Sequence, residues 1–243
     1  MKNPLDKTIL FFLVIIFFTA CKEDNIYITE NHIDKEYFPL KTSNTITYKV
    51  TEINIDAPSD VFDTNIYFLK EIIDIPFIDS EGDTAYRIER YISLNNDYWK
   101  IYQVWSAKTT KTNAELVEEN NRIVKLKFPI TLNKQWNGNL LNSLEPATFK
   151  LNKLNFNYYS GGINYNDCIS VLQDSSFSII NKDYEYEIYA KHIGLIYKEI
   201  THINSQIITP DIDIEMRVTT SYVYKQEILS YNIGSFYIQN KSF

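Results

Sequence analysis

The residues able to do chemistry in this chain are few and scattered. Three histidines are present: His32, His192 and His202. None has a partner at the i+2 or i+4 spacing that would suggest a chelate on one strand or helix face, so structural or solvent-exposed roles are expected. Asp211, Asp213 and Glu215 place three carboxylates on one side of an alternating run. Calcium takes six to eight oxygens, which these side chains only begin to supply, so a solvated, edge-protecting face is expected. Asp79, Glu81 and Asp83 surround Gly82 and read as a hairpin turn. Glu185 and Glu187 share a face, roughly 7 Å apart by strand rise. That lies within the range of a glycosidase carboxylate pair, but every i, i+2 pair on a strand has this spacing. Cys168 sits in the alternating run Asp167–Leu172 and reads as a buried small hydrophobe. No Gly-x-Ser-x-Gly, His-Glu-x-x-His, phosphate-loop or dinucleotide motif occurs. No catalytic residue, no metal ligand set and no cofactor is therefore expected.

The N-terminus carries the clearest pattern. Lys2 and Lys7 precede an unbroken apolar run, Ile9–Phe18, followed by Thr19, Ala20 and Cys21. This is the anatomy of an export signal. The run is too short to cross a hydrocarbon core, which needs ~20 apolar residues. Phe18-Thr19-Ala20-Cys21 resembles the lipobox of bacterial lipoproteins, with Phe18 in place of the commoner Leu. The resemblance implies cleavage after residue 20 and lipidation of Cys21, which would hold the protein to a membrane without a spanning helix. Lys22-Glu23-Asp24 resembles the signal that sends Bacteroidota lipoproteins to the outer face of the outer membrane; a periplasm-facing anchor is the alternative. Asp83-Thr84-Ala85 resembles the O-glycosylation acceptor of the same group, which implies a glycan on Thr84.

Loss of Lys2, Lys7 and Asp6 with the signal changes 24 basic and 31 acidic residues to 22 and 30, a net charge of -8. With no basic block, a nucleic-acid partner is not expected. Only two cysteines are present. With Cys21 lipidated, neither an intrachain disulfide nor a thiolate zinc site is available.

These groups must be positioned by strands. Residues 22–36 are polar and aperiodic, a flexible tether. From residue 37 to 243 the period is two almost throughout: Ile46/Tyr48/Val50, Tyr86/Ile88/Arg90, Trp99/Ile101/Gln103/Trp105, Val124/Leu126/Phe128, Phe149/Leu151, Tyr184/Tyr186/Ile188 and Ile212/Ile214/Met216/Val218. One-sided alternation belongs to antiparallel sheets, and Asn, Asp, Ser and Gly clusters divide the runs. An all-β, mainly antiparallel domain follows, either a sandwich or an open curved half-barrel. Asn113–Asn121 is the best helix candidate, a loop or single helical turn being the alternative. Trp99 and Trp105 are expected in a core. Tyr98, Tyr102, Tyr158 and Tyr159 are either core packing or a surface that stacks on sugar.

Phe38-Pro39-Leu40 with Ile46 repeats as Phe128-Pro129-Ile130 with Trp136, an offset of 90 that hints at two related halves. The pattern resembles Phe-Pro-Leu-x-x-Gly-x-x-Trp of Bacteroidota lipoproteins of unassigned activity, with Ser43 and Asn133 at the glycine position. Ile193-Gly194-Leu195-Ile196-Tyr197-Lys198-Glu199 and Leu229–Ile233 resemble later strands of such proteins. The resemblance implies a fold and an address. The function expected is non-catalytic: an outer-membrane lipoprotein that binds a glycan or an envelope protein, or supports an envelope complex. A lipid carrier with an apolar cavity is the alternative, and a small glycan-active enzyme the least favoured.

Overall fold

Alternation sets the inside of the sheet directly. In β1 (Thr45–Asp56) Tyr48 and Val50 point inward and are wholly buried, each worth ~1.5–3 kcal/mol as large side chains removed from water. The computed structural model describes residues 32–234 and 236–239. Six strands run as a meander: β1, β2 (Val61–Ile78), β3 (Thr84–Ser93), β4 (Lys100–Thr109), β5 (Asn113–Glu118) and β6 (Asn121–Lys127). Six more follow: β7 (Gln135–Asn137), β8 (Thr148–Ser160), β9 (Ile163–Phe177), β10 (Asn181–Ala190), β11 (Gly194–Asn204) and β12 (Thr220–Ile233). β1 pairs with β12, so the meanders join into one antiparallel sheet with β6 and β7 at its ends, and β13 (Phe236–Gln239) adds to β12.

The sheet curls until its ends meet. The Val124 amide of β6 donates to the Gly138 carbonyl at 2.8 Å, and the Trp136 indole nitrogen donates to the Val124 carbonyl at 2.8 Å. Of the two expected forms, the curved half-barrel is the one adopted, and it is nearly closed. Closure satisfies backbone groups that an open edge would expose. Phe128, Phe149, Leu151, Ile169, Val171 and Tyr189 fill one part of the interior. The β8–β9 hairpin bends through three register shifts, with Asn155 and Asp167 at positive φ. It lies over the outer face of β10–β12: the Tyr158 and Tyr197 rings are 5.7 Å apart, and the Ser160 hydroxyl donates to Glu227 at 2.9 Å.

The repeated motif forms the same turn twice. Ser43 and Asn133, at the glycine position, have φ of 73° and 64°. The Ser43 amide donates to Ile73, and Ile73 donates back to Asn44; Asn133, Leu151 and Lys134 repeat this exchange. Each turn opens one of the two meanders.

Three expectations are corrected. Asn113–Asn121 is neither helix nor loop but strand and hairpin turn. Glu119 and Asn120 have φ of 50° and 65°, the two successive left-handed residues of a tight two-residue hairpin. The run Ile212–Val218 is not strand. It is a loop with a 3-10 turn at Ile214–Met216, because the Arg217 guanidinium is buried among the carbonyls of Ile179, Ile207 and Ile212 and pulls the chain inward. The tether does not extend to residue 36. His32–Tyr37 is a 3-10 helix, Asp34 accepts from the Ile130 amide at 2.9 Å, and Tyr37 is buried. The signal peptide, Cys21 and Lys22-Glu23-Asp24 lie outside the described residues.

Candidate functional site

The interior of the barrel that side chains do not fill is a cavity of about 460 Å³, within the usual range for small-molecule sites. Its floor is apolar, with Phe38, Pro39, Leu195 and Gly194 among the lining. A methyl group on Gly194 would meet Pro39 at 3.5 Å, and φ of 100° there strains any other residue. This is the end of the barrel at which the described chain begins. Strand β1 rises from the floor, so Glu52 and its cross-strand partner Tyr224 lie further up. The exposed rings of Tyr102 and Tyr222 form part of the rim.

Two ion pairs stand in the walls. The Lys125 ammonium donates to Glu187 at 2.6 Å, and the Tyr189 hydroxyl donates to the other Glu187 oxygen at 2.5 Å. Burial opposes both charges. The lysine and glutamate nonetheless hold each other ionised: burial pushes the Glu187 pKa up, but Lys125 and Lys198 outweigh it and leave it lowered. Burial likewise depresses Lys125, and Glu187 and Glu118 reverse the shift. The second pair is Arg90, whose Nε donates to Glu71 at 3.0 Å and Nη1 to Gln103 at 2.5 Å, while its guanidinium lies 3.5 Å over the Trp105 ring. At the upper level the Tyr67 hydroxyl donates to Glu52 at 2.8 Å, and Tyr224 donates to Gln226 at 2.7 Å.

The residues singled out by spacing fare differently. Asp79, Glu81 and Asp83 do converge, but on Lys108, whose ammonium donates to them at 2.7, 2.6 and 2.9 Å. Arg122 adds a two-pronged contact to Glu81 and reaches Glu115. Arg122 first, then Lys108, lowers the Glu81 pKa to about 2. A lysine thus stands where a cation would. Thr84 lies exposed beside this cluster at the start of β3. Glu187 and Glu185 do not present a pair to the cavity: both Glu187 oxygens are engaged, and Glu185 faces His202 at 3.2 Å, its own pKa raised by burial. His202 also contacts Asp183 at 2.8 Å. The His192 side chain is exposed, near Glu36, and that of His32 lies outside the described residues. Cys168 is fully buried, and burial pushes its thiol up to about 11. Asp211 and Asp213 are exposed on the loop, and Glu215 pairs with Lys182.

Of the aromatics, Trp105 lines the cavity while Trp99 lies under Lys70 at 3.8 Å. Tyr98 and Tyr159 are exposed and Tyr158 packs on Tyr197. The cavity residues Glu52, Tyr67, Arg90, Lys125, Tyr222 and Tyr224 were not picked out by spacing. Their signal is a polar or aromatic residue standing in an inward-facing register, as Glu52 does after Tyr48 and Val50.

No protein family and no curated protein matches the chain in sequence. Two solved structures resemble it. One is a protein of Bacteroides fragilis described as exported, with a YmcC-like fold: 12% identity, 79% of this chain and 97% of that chain covered, TM-score 0.42. The other, from Parabacteroides distasonis, is described as a lipoprotein: 11% identity, the same coverage of 79% and 97%, TM-score 0.38. At these scores the fold and the site rest on the strands and side chains above. Among the described residues no helix is long and apolar enough to cross a membrane.

Proposed function

We propose that this protein is an outer-membrane lipoprotein, anchored through Cys21 and displayed at the cell surface by Lys22-Glu23-Asp24, whose barrel lumen binds a polar, sugar-like ligand without transforming it. The carrying observation is the composition of the lumen. Tyr67 and Tyr224 offer ring surface beside the amides of Gln103 and Gln226 and the carboxylate of Glu52, and Trp105, with one face covered by Arg90, lines the same lumen. Sugars present both a C–H face for stacking and a rim of hydroxyls for such groups. The charges of Lys125, Glu187, Arg90 and Glu71 are already paired, so the walls are preorganised. Glu187 is not free to serve as acid, base or nucleophile, because both of its oxygens are engaged.

The lipid-carrier alternative requires acyl chains to cover Glu52, which is half-buried and has no counterion. Removing such a group from water without further partners costs several kcal/mol. Titration calorimetry of oligosaccharides released from the producing cell envelope tests the reading, using mature protein carrying Cys21→Ser. Saturable binding that weakens roughly tenfold in Trp105→Ala supports it. Equal binding by the variant, or none by either, overturns it.

A further inference from the structure

Of the charged residues that line the cavity, Glu71, Arg90, Glu118, Lys125, Glu187 and Lys198 have counterions; Glu119 accepts from the neutral Gln103 amide instead, and Glu52 has no counterion either. Its one described partner is the neutral Tyr67 hydroxyl, and no ion pair to it occurs among the described residues. It stands half-buried at the upper part of the lumen. The register explains its company: Glu52 is directly opposite Tyr224 on β12, while Tyr222 on β12 and Tyr67 on β2 occupy the diagonal inward positions, which lie ~7–8 Å away across a pair of strands. Tyr102 of β4 completes the rim.

A carboxylate among four tyrosines, open to the cavity, has a defined chemical complement. Aromatic ring faces attract cations, and boxes of such rings recognise ammonium groups. The carboxylate supplies the counter-charge that the site lacks. The lumen as a whole points the same way, since its five carboxylates outnumber its three basic groups. A metal ion fits poorly, because one carboxylate does not approach the six or more oxygens that hard divalent cations seek. Arg90, the cation whose charge acts on Tyr224, is already held by Glu71 and Gln103.

We propose that Glu52, with Tyr67, Tyr102, Tyr222 and Tyr224, forms a binding site for an organic ammonium group, a protonated amine or a quaternary ammonium, carried by the ligand of the lumen. The proposal rests on the lumen-binding reading and names the ligand's charge. It implies a sugar or headgroup bearing a positive nitrogen.

Calorimetric titration of the mature Cys21→Ser protein with choline chloride, methylammonium chloride and 3,3-dimethylbutan-1-ol, the uncharged isostere of choline, tests it. At least one cation should saturate the site roughly tenfold more tightly than the alcohol. Glu52→Gln should weaken it about tenfold, and Tyr222→Leu should weaken it less. Unchanged thermal unfolding of Glu52→Gln shows that the loss is local. The inference is overturned if neither cation binds, if the alcohol matches them, or if Glu52→Gln leaves affinity intact. If envelope oligosaccharides still bind in a Trp105-dependent way, the charge assignment alone has failed. If they do not bind either, the lumen-binding reading has failed with it.

Discussion

Lys125 on β6 and Glu187 on β10 meet at 2.6 Å across the lumen, joining a strand of the first meander to a strand of the second. Their side chains are only 4% and 1% exposed, so neither charge is neutralised by water. Removing Lys125 leaves Glu187 buried with only the longer contact to Lys198, at 3.8 Å. Lys125→Met should therefore cost about 3–5 kcal/mol in urea unfolding. Combining it with Glu187→Gln, which still accepts from Tyr189, should recover most of that loss. Equal stability of wild type and Lys125→Met would remove the pair from the account of the lumen.

The cluster at the β2–β3 turn predicts a response to acid. Arg122 and Lys108 hold the folded Glu81 pKa at about 2, below its ordinary 4.5. A depressed carboxylate contributes stability that is whole above pH 4.5 and is lost as pH falls toward 2. Glu81 is half exposed, so the effect is screened and moderate. Melting temperature followed from pH 5 to pH 2 should fall less steeply in Arg122→Leu than in wild type, and the difference should shrink in high salt. Parallel curves would contradict this origin.

Thr84 lies exposed next to that cluster, at the start of β3. The protein purified from its own host should carry a mass excess that disappears in Thr84→Ala. An identical mass for the two, after correction for the substitution, would show that the position is unmodified.

The address is tested on intact cells. Protease added outside should cut the wild-type protein. Replacing Lys22-Glu23-Asp24 with alanines should leave it membrane-bound but protected, and Cys21→Ser should release it from the membrane. Protection of the wild type would move the protein to the periplasmic face.

The fold was legible in the sequence because burial on a sheet follows a period of two. Tyr48 and Val50, or Leu126 and Phe128, declare their side without any partner being known. What misled was local and had a nonlocal cause. Ile212 to Val218 alternate like a strand, yet the carbonyls of Ile179 and Ile207 capture Arg217 from elsewhere in the chain. Glu119-Asn120 contains no glycine, so the tight hairpin between β5 and β6 was hidden in a helix-like composition. The cavity was the least legible part. Lys125 and Glu187 are 62 residues apart, and nothing in either neighbourhood names the other. Sequence spacing found the carboxylates of Asp79, Glu81 and Asp83 but not Lys108, the residue on which they converge.

Native mass spectrometry of the mature Cys21→Ser protein, mixed with its own envelope extract and desalted gently, shows whether the lumen holds a polar ligand. A bound hydrophilic mass that Trp105→Ala fails to retain is the expected result. A bound acyl lipid that disappears on solvent extraction, retained equally by Trp105→Ala, would contradict it and make the barrel a carrier.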